Sequence, residues 1–109
     1  MLYNKNWDKK PNPISTLLNK AADLLVQTGH TKWTLIDSQG QMCANGAIYF
    51  AAESRHLDFY AGADALASYL KLGDRRQIPA WNNAPERTGE EVIDAFRQAA
   101  KAMETADAI

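Results

Sequence analysis

A chain of 109 residues with 46% hydrophobic residues, 23% charged residues and a formal net charge of −1 has the makeup of one globular domain. Ordinary apolar content excludes intrinsic disorder, and the lack of any run of about 18 apolar residues excludes a membrane-spanning helix. The stretch from Met1 to Pro13 is polar where a signal peptide needs an apolar segment, so a cytoplasmic domain over residues 14–109 is expected.

Residues 1–13 form an arm that cannot be a regular helix, because Pro11 and Pro13 interrupt it. Tyr3 and Trp7 suggest that part of the arm docks, either on the domain or in a partner's groove. A first helix is predicted from about Ser15 to Thr28, with Ser15 or Thr16 as cap and Gly29 as its stop. Ile14, Leu17, Leu18, Ala21, Leu24 and Leu25 give it one apolar stripe. Lys32 to Asp37 alternates like a strand, Asp37-Ser38-Gln39-Gly40 reads as a tight turn, and Gln41 to Cys43 reads as a return strand. Together they predict a small hairpin.

Asn45 to Ser54 is expected to be a helix, and Arg55 to Gly62 a connection. Asp64 to Leu72 is expected to be a third helix, closed by Gly73, and Asp74 to Arg87 an irregular segment. Thr88-Gly89-Glu90-Glu91 is a capping box that opens a final helix with Val92, Phe96, Ala99 and Met103 on its inner stripe. The expected fold is therefore α+β and mostly helical: about four helices and one small β-hairpin around a single core.

Three segments in this order carry a resemblance. They are Ala21-Ala22-Asp23-Leu24 with Gly29-His30-Thr31, Met42-Cys43-Ala44-Asn45-Gly46-Ala47-Ile48, and Ile78 to Pro85 leading into Arg87-Thr88-Gly89-Glu90-Glu91-Val92. The pattern resembles a family of small bacterial and bacteriophage proteins catalogued only as a domain of unknown function. The chain departs from that pattern at His30, where a tryptophan is common, and at Asn83, where an aspartate is common. The resemblance implies no activity. It does imply a phage or mobile-element accessory protein, a kind that often acts on a host component.

The single cysteine, Cys43, rules out an internal disulfide and fits a reducing compartment. His30 and His56 each stand 13 residues from it, a spacing that matches no compact metal motif, so no metal is expected. Cys43 just before a helix could be a nucleophile with a histidine as base. Burial at a strand-to-helix junction is the commoner role, with Gly46 letting two backbones approach. Trp81, Asn82 and Asn83 could wall a concave site, although turn-forming asparagines and a core-plugging tryptophan are the favoured explanation. Arg87 could hold an anion or pair with Glu90 or Glu91.

The leading expectation is a small non-enzymatic binding protein that docks on a host or partner protein through Tyr3, Trp7, Tyr60 and Tyr69, with Arg75 and Arg76 nearby. An inhibitor of a host defence system is one such role. The alternative is a small hydrolase or ligand-binding domain centred on Cys43, His30, Trp81, Asn82, Asn83 and Arg87. No cofactor is expected, since no phosphate-cradling glycine loop exists. Nucleic-acid binding is disfavoured: Lys5, Lys9, Lys10, Arg75 and Arg76 do not make a basic stripe, and the segment after Thr88 is acidic. A homodimer stays open.

Overall fold

The computed structural model describes residues 12–107. Helix α1 (Pro13–Thr28) begins two residues earlier than its periodicity suggests, because Asn12 is the cap. Asn12 Oδ1 accepts from Ile14 N–H at 2.8 Å and from Ser15 N–H at 3.0 Å. Pro13 then fills the first helical position, where a missing N–H costs nothing. The predicted stripe faces inward: Leu17, Leu18, Ala21, Ala22 and Leu25 are buried. Gly29 ends the helix at φ 90°.

The fold is all helical among the described residues, which corrects the α+β expectation and replaces four helices by five. The others are α2 (Ala44–Ala51), α3 (His56–Leu70), α4 (Ile78–Asn83) and α5 (Gly89–Asp107), with a 3-10 turn at Arg75–Gln77 before α4. The predicted turn does form, with Gly40 N–H donating to Asp37 O at 3.1 Å. The hairpin dies just beyond it. Ile36 and Met42 make one antiparallel bridge, while Met42 also bridges His30 in parallel. Met42 is held from both sides, α2 starts two residues later, and Trp33 is drawn away toward α4. A ladder has no room to grow.

Other boundaries differ as well, and α2 ends at Ala51, three residues short of the expected Ser54. Arg55 to Gly62, expected as a connection, is mostly the first half of α3, so Leu57, Phe59 and Tyr60 are helical. That helix closes on Lys71 at φ 58°, not on Gly73. Lys71 N–H bonds Ser68 O and Leu72 N–H bonds Ala67 O, a Schellman closure that a lysine adopts against its preference. The segment expected to be irregular from Asp74 contains α4, whose second residue is Pro79, a position that tolerates proline.

Helices α1 and α5 pack most extensively, and they run antiparallel. Ser15 at the start of α1 donates to Glu104 near the end of α5 at 2.9 Å, and Arg97 reaches Asn19 and Asp23 one and two turns along. Alanines such as Ala21, Ala22, Ala99 and Ala100 dominate the buried set, so helices approach closely around Phe96, Leu18, Leu25, Ile48 and Leu66. Gly46 serves the close approach expected of it: a Cβ there would lie 2.1 Å from the Leu35 carbonyl oxygen.

Candidate functional site

The segment 29–43 has little regular structure, so something else must hold its backbone polar groups. Asn82, on α4, does this. Its side chain is 1% exposed and makes four hydrogen bonds. Oδ1 accepts from Ala44 N–H at 2.9 Å and lies 2.7 Å from His30 Nε2, while Nδ2 donates to Thr31 O at 3.2 Å and to Asn83 Oδ1 at 3.0 Å. A backbone donor on one side and a backbone acceptor on the other determine which way the amide points. His30 must therefore carry its proton on Nε2 and donate.

The next residue extends the clamp. Asn83 Oδ1 accepts Trp33 N–H at 2.9 Å, and Lys32 Nζ donates to the Ala84 carbonyl at 2.7 Å. A cation at the carbonyl end of a helix is favourable on charge grounds too. Between these two anchors Trp33 sits at φ 71°, a left-handed conformation uncommon for a bulky residue. Its indole is 82% exposed. Leu35 and Ile36 beside it are exposed as well, in the segment whose alternation of Trp33 and Leu35 with polar neighbours predicts a strand.

Beneath this loop lies a cavity of about 200 Å³, lined by Trp33, Leu35, Cys43, Asn45, Ile78 and Asn82 among others. Cys43 is half-buried, and its role is local: Sγ accepts from Gly46 N–H at 3.3 Å and caps α2. Among the described residues no histidine or carboxylate bonds the sulfur; His30 is committed to Asn82 and His56 is exposed at the start of α3. Among the described residues, then, no base is placed against the Cys43 sulfur.

Trp81 is half-buried and lies outside that cavity's lining. The Arg87 guanidinium sits 4.7 Å from its ring centroid and also donates from Nε to the Trp81 carbonyl at 3.0 Å. Arg87 pairs with Glu91 at 2.9 Å, as one of its two expected partners. So Cys43, Asn82 and Asn83 share one cleft, whereas Trp81 and Arg87 are not in its lining and His30 meets it through Asn82.

Tyr60 and Tyr69 are each 42% exposed. Arg75 lies over the Tyr60 ring at 4.5 Å and pairs with Asp64, and Arg76 pairs with Asp74. Tyr3 and Trp7 lie outside the described residues. Trp33 was the functional candidate that sequence reasoning missed. Its alternating neighbours imitate a half-buried strand, and only the clamp from α4, which comes some fifty residues later, turns it outward.

These observations define an all-helical domain with a polar hub that presents an exposed, backbone-strained tryptophan. Among the described residues, no helix is long and apolar enough to cross a membrane, and no cluster of histidine, cysteine and carboxylate groups suited to a metal is found. The chain belongs to a family of unknown function, DUF6197, whose model matches residues 9–102. No curated protein and no solved structure is found to match it.

Proposed function

We propose that this chain is a small non-enzymatic binding protein that docks on a partner protein through the Trp33 loop. The observation that carries this reading is Trp33 itself. A large aromatic ring stands in solvent on a left-handed backbone, which is held by the Trp33 N–H bond to Asn83 and flanked by the anchored Lys32. Such strain costs about 1–3 kcal/mol and persists where surrounding structure enforces it. Exposed tryptophans held rigidly lose little entropy on binding and are favoured anchors of interfaces. The proposal thus moves the anchor from Tyr3, Trp7, Tyr60 and Tyr69 to Trp33. A host protein acted on by a phage or mobile-element accessory protein is the partner that the family resemblance favours.

Trp33→Gly separates function from folding. Glycine takes φ 71° freely, so the variant should melt at the same temperature as the wild type or higher. Partner capture from host lysate should be stoichiometric with the wild type and lost with the variant. Equal recovery of the same partner by both proteins would sink the reading.

A further inference from the structure

The cleft under Trp33 does not end at Asn45. A second cavity of about 170 Å³ lies on the far side of Asn45 and Pro79, and these two residues line both. The first cavity is walled by apolar groups, Trp33, Leu35 and Ile78. The second is bordered by Arg75 and Arg76, while the carboxylates that pair with them, Asp64 and Asp74, are not in its wall. Arg76 is 85% exposed in its side chain, and an exposed ion pair of this kind exchanges partners at little cost.

At the divide between the two cavities stands an unsatisfied group. Asn45 Oδ1 is buried and has no hydrogen-bond partner among the described residues. Leaving such an acceptor unpaired is unfavourable, and native structures seldom retain one without reason. A carboxamide carries a donor and an acceptor on one edge, the complement of the N–H and C=O of a peptide unit. A half-turn about its terminal torsion exchanges the oxygen and the nitrogen without changing its volume.

We propose that this double cleft binds an extended peptide segment of the partner protein, with an apolar side chain under Trp33, a peptide unit on Asn45, and an acidic side chain on Arg76. The proposal rests on the reading of Trp33 as a docking anchor and specifies what is docked. Charge selects the acidic residue, because Arg75 and Arg76 are the charged residues that border that end, beside Phe59 and Ala63. The two-sided hydrogen-bonding edge of Asn45 selects backbone over a purely apolar ligand. A nucleic acid is disfavoured by the apolar first cavity.

The test is a surface-displayed library of random octapeptides selected on the full chain, followed by titration of the enriched peptides in fluorescein-labelled form. Enrichment of an apolar residue followed closely by Asp or Glu is expected. Asn45→Ala should weaken the enriched peptides about tenfold, the scale of one or two hydrogen bonds. Arg76→Glu should weaken them by a similar factor, and should spare versions whose acid is replaced by its amide. Both residues are at least partly exposed, so folding should survive, with circular dichroism as the check.

Peptides without the acidic residue, or ones that bind both variants as tightly as the wild type, would overturn the proposal. If those same peptides still require Trp33, the cleft assignment falls alone and the anchor stands. If peptides follow the Asn45 and Arg76 pattern while Trp33→Gly keeps its protein partner, the cleft stands and the anchor falls.

Discussion

Asn82 shows how one side chain can replace a piece of secondary structure. Its four bonds tie the start of α2, the His30 ring, the Thr31 carbonyl and Asn83 to a single point. Truncation would strand a buried backbone N–H at Ala44 and a backbone carbonyl at Thr31. Asn82→Ala should therefore cost about 2–4 kcal/mol, beyond what an ordinary surface asparagine costs. Urea denaturation measures it directly, and a loss under 1 kcal/mol would show that water replaces the amide at that point. The Asn82-Asn83 pair was visible in the sequence as possible site chemistry. Its actual work, holding Trp33 and the segment before α2, was not, because hydrogen-bond partners some fifty residues away leave no local trace.

At the scale of elements, termini explain most of what happened. The capping box forms as read: Thr88 Oγ1 accepts Glu91 N–H at 3.1 Å, and Glu91 Oε1 accepts Thr88 N–H at 3.3 Å. The Arg87 hydrogen bond first, then that from the Thr88 N–H, holds the Glu91 carboxyl below its usual range. A pKa lowered on folding stabilises above the unfolded value and is lost as pH falls through the folded one. The wild type should therefore out-melt Glu91→Gln at neutral pH, and the gap should close between about pH 5 and pH 3. A gap constant over that range would assign the effect to packing. Helix α3 teaches the converse. Its first turn has polar and apolar residues mixed at His56, Asp58 and Leu57, the last fully outward, so periodicity begins only near Ala63 although the helix starts seven residues earlier.

For the whole molecule, a core built largely of alanine gives tight helix approach but little apolar area per residue. The few large buried side chains then carry a disproportionate share. Phe96, fully buried on α5, is the largest of them. Phe96→Ala should cost about 3–5 kcal/mol against a total near 5–15 kcal/mol for a domain of this size. The wild type should unfold in one transition seen alike by circular dichroism and tryptophan fluorescence, and the variant should be partly unfolded at 37 °C. Two separated transitions in the wild type would show that the α4 clamp and the α1–α5 pair fold as independent units.

Local chemistry was enough to define the first and last helices, the Asp37–Gly40 turn and the capping box. Each depends on residues within a turn or two of one another, or on a stripe whose period is set by the helix itself. The tertiary structure alone decided that an alternating segment would not become a hairpin, that α4 would form within a proline-containing stretch, and that Trp33 would face outward. Those outcomes hang on long-range hydrogen bonds to Asn82 and Asn83. Bonds of that kind depend on where helices pack, and no local periodicity encodes that.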